Sequence, residues 1–134
     1  MATILNPATI DFTASEGNAI LKGADWYIEI SIENQEDNVT TPIDLTGFEG
    51  KCQIRESANS PKIIAPPTIT IVNPTLGTFS LSLDDTVTKN IPTTGNTYKE
   101  KTRYQYDVIL SKGTEVYRVL QGSVEVSPSI TKGN

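Results

Sequence analysis

Apolar side chains at alternate positions constrain this chain more than any other feature. Between residues 25 and 33, Trp26, Ile28, Ile30 and Ile32 fall on one parity, while Asp25, Glu29, Ser31 and Glu33, with Tyr27, fall on the other. A backbone whose successive side chains point to opposite faces turns that spacing into one apolar and one polar face, which describes a half-buried β-strand. The pattern returns at Phe48, Gly50, Cys52 and Ile54, at Ile69 and Ile71, at Phe79, Leu81 and Leu83, and at Tyr104, Tyr106, Val108 and Leu110. Composition agrees, since 41 of the 134 residues are β-branched (18 Thr, 15 Ile, 8 Val) against 7 Ala and 8 Leu. Branched side chains fit a pleated surface better than a helix.

Between these runs stand turn signals. Residues 34–42 combine Asn, Asp and Pro and predict a hairpin-like or sheet-switching loop. Pro66-Pro67 interrupts any ladder, and Asn73-Pro74-Thr75-Leu76-Gly77 reads as a tight turn joining two strands into a hairpin. Residues 84–91 hold the one plausible helical turn, with Asp84 or Asp85 as N-cap and Pro92 ending it. A long loop follows to Glu100, and Ser111-Lys112-Gly113 turns the chain into a last strand. In that strand Val116, Leu120, Val124 and Val126 share their parity with Arg118 and Gly122, which predicts a bulge near Gly122 or two sheet environments. About seven or eight short strands, with turns roughly every 8–12 residues, indicate an all-β sandwich or barrel. The length suits one domain, residues 1–134, with a core over about 10–127 and polar arms at 1–9 and 128–134. Trp26, Ile28, Ile30, Ile54, Phe79, Leu81, Tyr106 and Val108 are the expected core.

Chemistry is narrowed mainly by what is missing. The chain has no histidine, which removes imidazole-based acid-base catalysis and histidine metal ligation. A net charge of −5 disfavours nucleic acid as a partner, and Lys99, Lys101 and Arg103, interleaved with Glu100, read as a solvated approach to a strand. Cys52 lies on an apolar parity and reads as a small core residue; with no second cysteine the fold must stand without a disulfide. Asp84-Asp85 is the one pair that suggests carboxylate catalysis, and a helix N-cap accounts for it better. Glu33, Glu36 and Asp37 lack the spacing of a calcium loop, and the isolated glycines form no phosphate cradle. Trp26, Tyr27, Tyr104, Tyr106 and Tyr117 could line a sugar-binding face, but half of them fall on buried parity, leaving Tyr27 and Tyr117 as the exposed pair. Neither a signal peptide nor an apolar run of membrane-spanning length is evident, so synthesis in a cytoplasm is expected and a membrane is not. No catalytic, cofactor-binding or metal-binding residue is assigned.

The segment Pro42-Ile43-Asp44-Leu45-Thr46-Gly47-Phe48, followed by the alternating Lys51-Cys52-Gln53-Ile54-Arg55, resembles a family of small β-sandwich proteins from tailed bacteriophages. The likeness continues in order through residues 77–83, Tyr106-Asp107-Val108 and residues 120–128. In the turn itself, Asp44 and Thr46 can cap backbone N–H groups and Gly47 can adopt positive φ before Phe48. The resemblance implies an immunoglobulin-like antiparallel sandwich in a tail tip or baseplate, such as the collar that carries side tail fibres. It further implies a non-enzymatic virion protein that forms a ring with its own copies and docks other tail or fibre proteins. Residues 1–9, 90–101 and 127–134 are the expected contact regions. A carbohydrate-binding attachment module and a head decoration protein are the competing readings, with a carboxylate enzyme as a remote fourth.

Overall fold

A computed structural model describes residues 7–95, 97 and 99–128. Among them the chain forms ten strands: β1 (Ala8–Thr9), β2 (Ile20–Leu21), β3 (Trp26–Ser31), β4 (Glu33–Glu36), β5 (Val39–Pro42), β6 (Glu49–Arg55), β7 (Thr68–Asn73), β8 (Thr78–Leu83), β9 (Thr102–Lys112) and β10 (Glu115–Ser127). A 3-10 turn at Pro74–Leu76 and one short helix, α1 (Asp85–Thr88), complete the list.

The strands make an all-β sandwich. One sheet runs β1-β10-β9-β6, with β2 also paired to β10, and the other runs β3-β8-β7. With β1 and β2 counted as one edge strand and the β4–β5 hairpin set aside, the second, fifth and fourth strands (β3, β8, β7) face the third, sixth and seventh (β6, β9, β10), the strand order of an immunoglobulin sandwich. Two details depart from the sequence-based expectation. The sheet is not wholly antiparallel, because β1 and β2 pair in parallel with β10, Ala8 opposite Leu120 and Ile20 opposite Val126. Each is only two residues long, too short for alternation to register, which is why the count exceeds seven or eight.

Residues 34–42 do form a hairpin. Strands β4 and β5 pair Glu33 with Pro42 and Glu36 with Val39 around Asp37 and Asn38, whose φ angles of 50° and 65° are those of a tight hairpin turn. This hairpin forms a small sheet of its own, and nearly all of it is exposed. The 73–77 turn also forms as expected, with Gly77 at φ 69° leading into β8. At α1, Asp84 accepts the Val87 N–H at 3.1 Å and the Thr86 hydroxyl, so the cap accounts for this carboxylate. Buried Thr88 then ties the helix to the loop before β3, donating to the Ala24 carbonyl at 2.8 Å and accepting from the Gly23 N–H at 3.1 Å.

The parity conflict in the last strand is resolved by a bulge, located earlier than expected. Register between β9 and β10 shifts between Arg118 and Leu120, so the extra residue is Val119, not Gly122. Before the bulge Val116 is exposed and Tyr117 packs near Phe48; after it Leu120, Val124 and Val126 are buried. Gly122 has a different reason to be glycine. A Cβ there would stand 2.1 Å from the Ile10 carbonyl oxygen, where the segment after β1 runs alongside the strand in parallel.

Between the sheets, Phe12 stacks on Tyr106 at 5.0 Å and meets Trp26 edge-on at 5.5 Å, touching a residue of each layer. Trp26, Ile30, Ile54, Phe79, Leu81, Tyr106 and Val108 are buried as expected, and Ile28 is only partly so. Polar tips inside this core all find partners: Trp26 Nε1 donates to the Asn18 carbonyl at 2.9 Å and the Tyr106 hydroxyl to the Ile10 carbonyl at 2.6 Å. Cys52 is buried, and loss of solvent together with nearby Asp107 pushes its thiol up to about 12, which makes it inert.

Candidate functional site

The outer face of the larger sheet carries the most elaborate constellation of functional groups. Alternation along β6, β9 and β10 directs one parity inward to the core, so the other parity must line the opposite face. Register then assembles rows that no single strand contains. Gln53, Asp107 and Gln121 lie side by side across three strands, and so do Arg55, Gln105 and Ser123. Beyond β10, Thr9 stands next to Gln121, while Asp11 accepts the backbone N–H of Ser123 at 2.9 Å and its hydroxyl at 3.0 Å. The face is concave, a groove of about 730 Å³.

All three arginines of the chain, Arg55, Arg103 and Arg118, line this groove. Arg55 is anchored by the Ser60 carbonyl at 2.7 Å and Gln53 Oε1 at 2.8 Å. Arg103 reaches Glu125 at 3.2 Å, and Arg118 lies 3.5 Å from Asp107. Both of these outer side chains are more than half exposed (57% and 56%), and each guanidinium has N–H groups beyond the one in the pair. Arg103, expected as part of a solvated approach, is thus a wall of the groove.

Several carboxylates are held ionised by the donors they receive. The Ser123 backbone N–H above all, then its hydroxyl, lowers Asp11; the Thr46 hydroxyl and N–H lower Asp44; the Thr86 hydroxyl and Val87 N–H lower Asp84. Glu125 is lowered chiefly by the Ala14 N–H, with Arg103 adding to it. Groups whose folded-state pKa is depressed contribute stability above their unfolded values, near 4, and lose it as pH falls through the folded ones. Thermal unfolding followed by circular dichroism is therefore expected to show the melting temperature dropping as pH falls below about 4. Asp11→Asn should melt lower than the parent at neutral pH and show a shallower acid decline. At the alkaline end Cys52 and Tyr106, both raised by burial, predict a further loss as pH rises past roughly 9.

The other residues singled out from the sequence are not gathered into one site. The Asp44–Phe48 turn forms as anticipated: Asp44 Oδ1 accepts the Thr46 N–H at 2.9 Å and hydroxyl at 2.6 Å, Leu45 is buried, and Gly47 has φ 82°. Its role is structural, launching β6. Tyr27 is exposed on β3 and Tyr117 half-buried on β10, in different sheets, so they make no shared stacking platform. Glu33, Glu36 and Asp37 line the exposed β4–β5 hairpin, and no group of three or more potential metal ligands occurs among the described residues. Of the expected contact regions, residues 1–6, 96, 98 and 129–134 lie outside the described residues, while Ala8 and Thr9 belong to the sheet. The groove itself escaped sequence reasoning because its rows depend on which strands are neighbours; the outward parity of Gln53, Arg55 and Gln105 was its only trace. No family model matches the sequence, and no curated protein matches it.

Proposed function

We propose that this protein is a non-enzymatic structural component of a bacteriophage tail, a collar or baseplate module that forms a ring with its own copies and docks fibres or other tail proteins. The observation that carries the reading is where the phage-like segments fall. The Asp44–Phe48 turn feeds β6, Tyr106-Asp107-Val108 lies on β9 and residues 120–128 run along β10, three adjacent strands of one sheet, while residues 77–83 span the whole of β8 in the facing sheet. Segments that carry the resemblance in order along the sequence are thus also neighbours in space, which supports reading them together. The groove adds a polar, arginine-lined surface suited to contacts with another protein, and the separation of Tyr27 from Tyr117 weighs against a sugar-stacking face.

Immunogold labelling of intact particles of the encoding phage tests this. Gold at the tail tip or collar is the expected result. Gold on the head would replace the reading by a decoration role, and unlabelled particles would overturn it.

A further inference from the structure

Resting on that ring-forming reading, we propose the contact that builds it: the acidic β4–β5 hairpin of one copy lies in the arginine-lined groove of the next. The occupant is argued from charge. A chain with 16 acidic and 11 basic residues gathers every one of its arginines around one concavity. Guanidinium groups are suited to carboxylates, which they grip with paired N–H bonds. The present partners leave that capacity in part unused, since Arg118 and Asp107 stand 3.5 Å apart, beyond the roughly 2.7–2.9 Å of a tight charge-assisted bond. Gln105 and Gln121 between the arginines add amide donors and acceptors for an extended backbone.

The hairpin supplies the complement. Glu33, Glu36 and Asp37 are exposed on a two-stranded projection that pairs with neither sheet of the sandwich. A two-stranded hairpin is marginal in isolation, so one projecting from a closed sandwich gains order by lying against another surface. Hairpin and groove are different patches, and a contact between different patches is head-to-tail; repeated with the correct rotation, it closes a ring. Nothing in the contact requires chemistry beyond ion pairing and hydrogen bonds, in keeping with a passive assembly part.

Sedimentation velocity of the full chain across micromolar concentrations, at low and high salt, tests the proposal with two charge-reversed variants. One carries Arg103→Glu with Arg118→Glu in the groove, the other Glu33→Lys with Glu36→Lys on the hairpin. All four side chains are exposed, and circular dichroism checks that each variant keeps the parent fold; Arg103→Gln with Arg118→Gln replaces the first if it does not. Each variant alone should associate at least about tenfold more weakly than the parent. An equimolar mixture should recover assembly, because each reversed surface then meets its reversed counterpart. Parent association that both variants leave unchanged would overturn the docking while leaving ring formation intact. A parent that stays monomeric to about 100 µM, with a Kd thus weaker than about 5 kcal/mol of binding would provide, would overturn docking and self-association together. Polygalacturonate bound by the parent but not by the groove variant, with parent association unaffected by either reversal, would reassign the groove to an acidic saccharide.

Discussion

Phe12→Ala is expected to lower the free energy of unfolding by about 3–5 kcal/mol, measured by urea denaturation. Phe12 is 1% exposed, stacks on Tyr106 and meets Trp26, and so joins both layers to the segment between β1 and β2. Truncation removes the buried ring and leaves a cavity whose walls belong to different sheets, which limits how far the site can collapse. Backbone bonds depend on it too: the Phe12 N–H donates to Ser123 at 2.9 Å, and its carbonyl accepts from Glu125 at 2.9 Å. Loosening residues 8–14 should therefore lower hydrogen-exchange protection at Ser123 and Glu125 as well. A loss below about 1 kcal/mol would mean that the two layers hold together without this ring.

Gly77→Ala is expected to cost about 3–5 kcal/mol, from two effects that add. Gly77 has φ 69°, a region that L-residues occupy at a penalty. A Cβ there would also stand 2.5 Å from the Ile32 carbonyl oxygen and 2.7 Å from that of Ile43, both backbone atoms that cannot rotate away. Those carbonyls belong to a junction in which the Ile32 N–H donates to Gly77 at 2.9 Å and the Ile43 N–H to Ile32 at 3.1 Å, the hinge from which the β4–β5 hairpin projects. Gly17→Ala is the control: φ is 77°, yet no heavy atom lies within 4 Å of its Cβ position, so only the backbone penalty of about 1 kcal/mol should appear. Equal losses at the two positions in thermal denaturation would refute the close-approach argument.

How much of this was legible in the sequence depended on whether the determinant was local. Alternation at Cys52 and Ile54, or at Tyr104, Tyr106, Val108 and Leu110, is a property of single strands, and those residues are buried as the parity requires. The Asp84 cap and the Asp44–Thr46 turn are set by side chains within three residues of the groups they bind, and both form. By contrast, Phe12 belongs to no alternating run, and its place between Trp26 and Tyr106 arises only after the segment has paired with β10. Gly122 and Val119 show the same limit: parity revealed an irregularity, but the register against β9 places the bulge at Val119 and the long-range contact with Ile10 accounts for Gly122. The groove is the extreme case, since Arg55, Arg103 and Arg118 lie on three different strands and only register brings them together.

The parallel pairing of β1 and β2 with β10 bears on how the chain acquires its structure during synthesis. Residues 8–21 leave the ribosome before the other described strands, yet the only strand they pair with, among the described residues, is the last of these to follow. Until residues 120–127 have been translated, Phe12 and Ile20 have no sheet edge to lie against, and the nascent polypeptide must carry them in contact with water or chaperone. Closure therefore waits for β10, and a product interrupted before β10 cannot seal its interior. Such a dependence acts as a quality check: only chains that carry β10 attain the ordered outer face of the larger sheet.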